Sequence, residues 1–127
     1  MNLSQIQQEQ DEWSKRNFDN KKPYQPILGA TEEVGELAHA YLKMEQGIRG
    51  TKAEHELAMK DSIGDCCIFL MDLCNQMGWS FEDIIDETWA HVKKRNWKVD
   101  LFKRLLERPL FVLCLVLTEN FLLKNVN

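Results

Sequence analysis

The chain has 127 residues, a net charge of −4, 28% charged and 44% hydrophobic residues, the composition of one globular domain rather than of a disordered chain. The acidic balance excludes a binder of the nucleic-acid backbone, which needs a basic face. The opening MNLSQIQQEQDEW is polar and acidic, unlike a secretory or transit peptide, and the longest apolar run, LFVLCLVL at 110–117, is too short to span a bilayer, so the expected setting is cytoplasmic, away from membranes.

Hydrophobic period and capping residues predict four helices. Ser4 and Gln7 have capping-box spacing and open the first, with Leu3, Ile6 and Trp13 on one side and an end near Phe18. DNKKPYQP (19–26) follows as a loop, because two prolines and an Asp-Asn pair do not continue a helix. The second helix is expected from about Leu28 to Glu45, stopped by the glycines of GIRG. Thr51 with Glu54 is another capping-box spacing and opens a long third helix that ends at Gly78. Ser80 with Asp83 opens the fourth, which carries Phe81, Ile84, Ile85, Trp89 and Val92. The basic run Lys93, Lys94 and Arg95 favours its C-terminal end.

No strand is predicted before residue 100, so the expected fold is all-α, a four-helix-type bundle over residues 1–100. Residues 101–127 form a separate extension in which Arg108-Pro109 interrupts any helix. Its apolar run is expected to dock on the bundle or to form a subunit contact, since left exposed it would invite aggregation. Cysteines 66, 67, 74 and 114 match no zinc spacing and read as small core hydrophobes in a reducing compartment.

The stretch TEEVGELAHAYL (31–42) sets Glu32, Glu33 and Glu36 within two turns, where like charges repel. With Val34 at zero on a helical wheel, the apolar side chains occupy an arc from roughly −120° to +80°, Glu33 falls inside it at about −100°, and Glu36 lies just outside. The third helix has the same character. IGDCCIFLMDLC (63–74) is apolar nearly all round, as in a buried helix, yet Asp61, Asp65 and Asp72 fall within about 40° of one another, with Glu54 on the same line. Two helices expected in the core thus present acids inward with no comparable basic cluster, and a lone buried anion costs several kcal/mol. Either these acids find a lysine or a wet groove, or a divalent cation holds them; hard cations take oxygen ligands, and Mg²⁺ uses a few carboxylates together with waters and phosphates.

Glu32-Glu33-x-x-Glu36, followed by Gly64-Asp65 on an apolar helix, resembles the EExxE…ExxD signature of the MazG-like all-α nucleoside triphosphate pyrophosphohydrolases. EWSKRNF before the motif, LKMEQGIRG after it and TWAHVKKRNW at the close extend the resemblance over roughly residues 3–98. It implies Mg²⁺-dependent hydrolysis of an NTP or dNTP between the α- and β-phosphates, with Mn²⁺ able to substitute, in a homodimer or dimer of dimers. Carried over by position, Glu33 and Glu36 are metal ligands, Asp65 is the Asp of the second block, and Glu32 binds a further metal or orients the attacking water. The position three before Asp65 is Ser62, where the family has Glu; Asp61, four before, shares the helix face and is assigned the missing ligand's place. Lys93, Lys94 and Arg95 stand either as contacts to the phosphate tail or as a solvated helix end. Trp13 stacks on the base or belongs to the core. A catalytically silent nucleotide-binding relative and a non-enzymatic cation-binding bundle are the rival readings.

Overall fold

Four helices and no strand form among residues 2–97, the part of the chain that this computed structural model describes, so the all-α class holds. The expectations for residues 101–127 and for Cys114 lie outside the described residues. The chain divides into two units, Met1–Glu87 and Thr88–Asn127. The first holds α1 (Leu3–Asn17), α2 (Tyr24–Gln46), α3 (Lys52–Met77) and the start of α4 (Phe81–Val92).

The start of α1 differs from the sequence reading. Asn2 is the N-cap: its side chain accepts from the Gln5 N–H, and the Gln5 side chain accepts from the Asn2 N–H. Ser4 donates instead to Glu82. Gln7 is taken up by tertiary bonds, donating to Asn75 Oδ1 and to the Trp79 carbonyl (2.8 Å each) and accepting from the Phe81 N–H (2.8 Å). Asn75 Nδ2 returns bonds to the Gln7 carbonyl (3.1 Å) and Gln10 Oε1 (2.7 Å), so α1 is seated on α3 largely by polar groups. A small apolar cluster of Met71, Cys74 and Phe81 receives Leu3 and Ile6 beside them.

The second correction concerns α2, which begins at Tyr24 and includes Pro26 in its first turn. First-turn amides have no partner inside the helix, so a proline there costs no hydrogen bond. Gly47 ends the helix in the left-handed conformation (φ 64°) and donates back to Met44 (3.1 Å). Both ends of α3 agree with expectation. Thr51 and Glu54 form the reciprocal capping box, and Gly78 at φ 70° closes the helix. Asp83 N–H donates to Ser80 Oγ (3.2 Å) at the expected start of α4.

The helices α2 and α3 run antiparallel, as the Ala30–Cys66 and Gly29–Phe69 contacts and the short connection show. They approach closely at Gly29, where an added Cβ would lie 2.5 Å from Phe69 Cε1. Contrary to the expectation of burial nearly all round, α3 buries His55, Ser62, Met71, Asp72 and Cys74 but leaves Ile63 53% exposed, with Leu70 also exposed. Likewise α2 buries Pro26 and Ala40 but exposes Val34, Tyr41 and Leu42. The reason is numerical: among the described residues α3 packs along α1 and α2 and meets Phe81 of α4 at one end, and these neighbours do not surround a helix. No described helix is long and apolar enough to cross a membrane.

Candidate metal centre

The acids of α2 and α3 meet because the two helices pair antiparallel, setting residues 32–36 against 61–65. Glu33 is half-buried and Asp65 exposed; both line a groove of about 590 Å³ that Trp13, Phe18, Lys21 and Phe69 also line. Glu32, Glu36, Asp61 and Ser62 line a second basin, of about 670 Å³. The α2–α3 packing therefore divides the five acids between two depressions. They remain electrostatically one group. The Glu33 carboxyl is pushed above the usual carboxylate range, first by loss of solvent and then by Asp65, Glu36, Glu32 and Asp61. None of the five belongs to an ion pair among the described residues, where the pairs are Lys15–Asp11, Lys21–Asp72 and Lys52–Glu56.

Two acids on the predicted α3 line leave the group. Asp72 does find a lysine: Lys21, from the loop before α2, ion-pairs with it. Gln10 and Ser14 donate to Asp72 Oδ1 (3.1 Å each), and Gln76 donates to Oδ2 (3.0 Å). Burial alone would push the Asp72 carboxyl up, but the bonds from Lys21 and Gln10, the Lys21 charge and the Ser14 bond outweigh it and hold it below the usual value. Glu54 is spent as a cap. Its carboxylate accepts from the Thr51 N–H (2.7 Å) and hydroxyl (2.8 Å), which lower its pKa.

The other predicted site residues are distributed as follows. Trp13 is 49% exposed, outside the apolar cluster, and meets Phe18 edge-to-face at 5.6 Å on the groove wall. Lys93, Lys94 and Arg95 belong to the second unit, where the Arg95 guanidinium lies over the Trp97 ring at 5.7 Å. Cys66 and Cys67 are half-buried, Cys74 is buried and all three are free thiols. Cys66 donates to the Ala30 carbonyl (3.4 Å), and loss of solvent, then Glu33, Cys67 and Asp65, push its thiol up, away from reactivity. Sequence reasoning missed Lys21, which lines the groove, and Lys43 and Arg49, which line the second basin. The only signal for Lys21 was that a buried Asp72 requires a cation from somewhere.

No family model, curated protein or solved structure matches this chain.

Among the described residues no three His, Cys, Asp or Glu side chains close into a preformed group able to hold a metal ion. The donors nevertheless fit a hard dication in kind, being carboxylate oxygens none of which is in an ion pair among the described residues.

Proposed function

We propose that the chain is a Mg²⁺-dependent pyrophosphohydrolase of the MazG-like kind, cleaving a nucleoside or deoxynucleoside triphosphate between the α- and β-phosphates. The observation that carries this reading is the setting of Glu33: a half-buried carboxylate grouped with four other acids, pushed above its usual pKa first by loss of solvent and then by those neighbours, and in no ion pair among the described residues. A structural carboxylate is normally treated like Asp72, ringed by donors. Glu33, Glu36, Asp61 and Asp65 would hold Mg²⁺, or Mn²⁺ in its place. When bound, the dication neutralises charge on the phosphate oxygens and activates water, which is most of what phosphoryl transfer requires. Glu32, exposed beside them, is assigned to orient the attacking water and take its proton. Water adds at phosphorus, the anhydride bond between the α- and β-phosphates breaks, and the electron pair leaves with pyrophosphate. The groove beside Glu33 offers Trp13 and Phe18 as faces for a base.

We further propose that the four-helix arrangement is completed between copies, as a homodimer or dimer of dimers. Val34, Tyr41, Leu42, Ile63 and Leu70, exposed on α2 and α3, support this, since soluble monomers rarely leave such strips uncovered. The free thiols fit a reducing cytoplasm. One observation favours a second reading, nucleotide binding without turnover: a neutral Ser62 stands where the resembled motif has an acid.

Incubation with common nucleoside triphosphates and Mg²⁺, with product identification, tests both. Monophosphate and pyrophosphate are expected, and EDTA should stop their release. Orthophosphate with a diphosphate would refute the cleavage site, and Mg²⁺-dependent binding without product would establish the second reading.

A further inference from the structure

The basin on the Glu36 side of the α2–α3 pair contains charges of both signs and the hydroxyl of a buried serine that has no protein partner among the described residues. Glu32, Glu36 and Asp61 line it together with Lys43 and Arg49. Neither cation is in an ion pair among the described residues; Lys43 donates only to the Gln46 amide oxygen (3.0 Å). Ser62, 4% exposed, forms part of the wall and makes no hydrogen bond among the described residues. Since no fully enclosed polar side-chain atom among the described residues lacks a partner, the Ser62 oxygen must open onto the basin. Buried hydroxyls are normally satisfied, so one left open in a charged basin points to a ligand atom.

Arg49 adds a backbone argument. It sits between Gly47 and Gly50 with φ 62°, in the left-handed region that L side chains avoid. The turn is braced around it: His55 Nε2 bonds the Ile48 carbonyl (3.1 Å), and Thr51 and Glu54 cap α3 directly after. Glycine would occupy position 49 with less strain, so the arginine there is held for its side chain.

Building on the pyrophosphohydrolase reading, we infer that this basin seats the polyphosphate chain of a magnesium-complexed ligand, with Arg49 and Lys43 as its cationic contacts and the Ser62 hydroxyl as a hydrogen-bond partner. The phosphate-contact role offered for Lys93, Lys94 and Arg95 by the sequence thus passes to Lys43 in the last turn of α2 and Arg49 in the connection that follows. Charge decides the form of the ligand. The three carboxylates outnumber the lysine and arginine charges in the wall by one, so a bare phosphate chain is repelled, whereas one bound dication reverses the sign. Arginine then offers a planar pair of donors to phosphate oxygens and lysine a point charge.

Calorimetric titration of the full chain with inorganic tripolyphosphate, with and without Mg²⁺, tests the inference. Binding is expected only with Mg²⁺. Arg49→Gly and Lys43→Gln should each weaken it about tenfold or more, the effect of one lost charge-assisted hydrogen bond, and Ser62→Ala by about two- to fivefold. The thermal midpoint of Arg49→Gly should not fall, because glycine accepts the left-handed backbone. The inference is overturned if wild type with Mg²⁺ does not bind tripolyphosphate, or if Arg49→Gly and Lys43→Gln bind it undiminished. It is likewise overturned if only a combined Lys93→Gln, Lys94→Gln, Arg95→Gln variant loses binding. Tripolyphosphate binding that follows the expected pattern in a protein that cleaves no nucleotide would refute the proposed activity and leave the basin assignment standing. Pyrophosphate release with tripolyphosphate binding indifferent to Arg49 and Lys43 would do the reverse.

Discussion

Replacing Gly29 by alanine sets two effects of opposite sign against each other. Gly29 lies in the interior of α2, where alanine is favoured over glycine by about 1 kcal/mol. The added Cβ, however, would meet Phe69 ring atoms at 2.5, 2.6 and 2.7 Å, roughly 1 Å inside the separation at which carbon atoms attract. Phe69 is half-buried and lines the groove, so relief comes from turning the ring toward the groove or from spreading α2 and α3. Either way overpacking costs about 1–3 kcal/mol. The net expectation for Gly29→Ala is destabilisation of about 0–2 kcal/mol, read by urea unfolding followed by far-UV circular dichroism. A double-mutant cycle sharpens it. With Phe69→Leu already in place the clash is removed, and Gly29→Ala should now stabilise by about 1 kcal/mol, giving a coupling of about 1–3 kcal/mol between the two positions. If alanine stabilises both backgrounds equally, the close approach at Gly29 does not shape this helix pair and the reasoning fails.

Glu33→Gln should reduce pyrophosphate release by about 100-fold or more, since a metal ligand is lost, while leaving stability without Mg²⁺ unchanged or raised; a large loss of stability would mean that Glu33 pairs with a cation. Because the folded Glu33 carboxyl lies above its ordinary pKa, the fold binds its proton more readily than the unfolded chain does. Its contribution to stability therefore diminishes as pH rises through the raised value, and Glu33→Gln should flatten that part of the Mg²⁺-free stability profile. Asp72 has the opposite sign. Held below its ordinary pKa by Lys21, Gln10 and Ser14, it stabilises above that ordinary value, and the contribution is lost as pH falls through the depressed folded one. Asp72→Asn should cost about 2–3 kcal/mol at neutral pH, less than a fully enclosed pair because Lys21 has some access to water; urea titrations at neutral and acid pH should show that difference narrowing as the wild-type carboxyl protonates.

The ends of α3 were legible because capping is local chemistry: Thr51, Glu54 and Gly78 do their work within one turn of themselves. The start of α1 was not. Asn2 with Gln5 and Ser4 with Gln7 have the same spacing, and the choice rests on Gln7 being drawn away by Asn75 and the Phe81 N–H, which are remote in sequence. Pro26 was read as a breaker because composition does not reveal that it falls in the first turn. For the acids, the helical wheel put Asp61 and Asp65 on one line, and both act on Glu33, but it put Asp72 and Glu54 there too, which have other partners. It missed the division between groove and basin, because a wheel gives the angle of a side chain and not the neighbour it meets. The partner of Asp72 was unreadable for the same reason, being a loop lysine that only folding brings near.

The seat of α1 has a thermodynamic consequence. Gln7, Gln10, Asn75 and Asp72 join α1 to α3 through directional bonds, with Leu3 and Ile6 supplying modest apolar contact. Exposing polar surface lowers heat capacity where exposing apolar surface raises it, so detaching α1 should carry little heat-capacity change and vary gently with temperature. Directional bonds also reject sliding: displaced by one turn, α1 would lose every one of these partners at once, whereas an oily seam could re-form. Because Trp13 and Ser14 reach the groove from this helix, the width of the groove is set by amide geometry, and it should hold its shape from cold to warm.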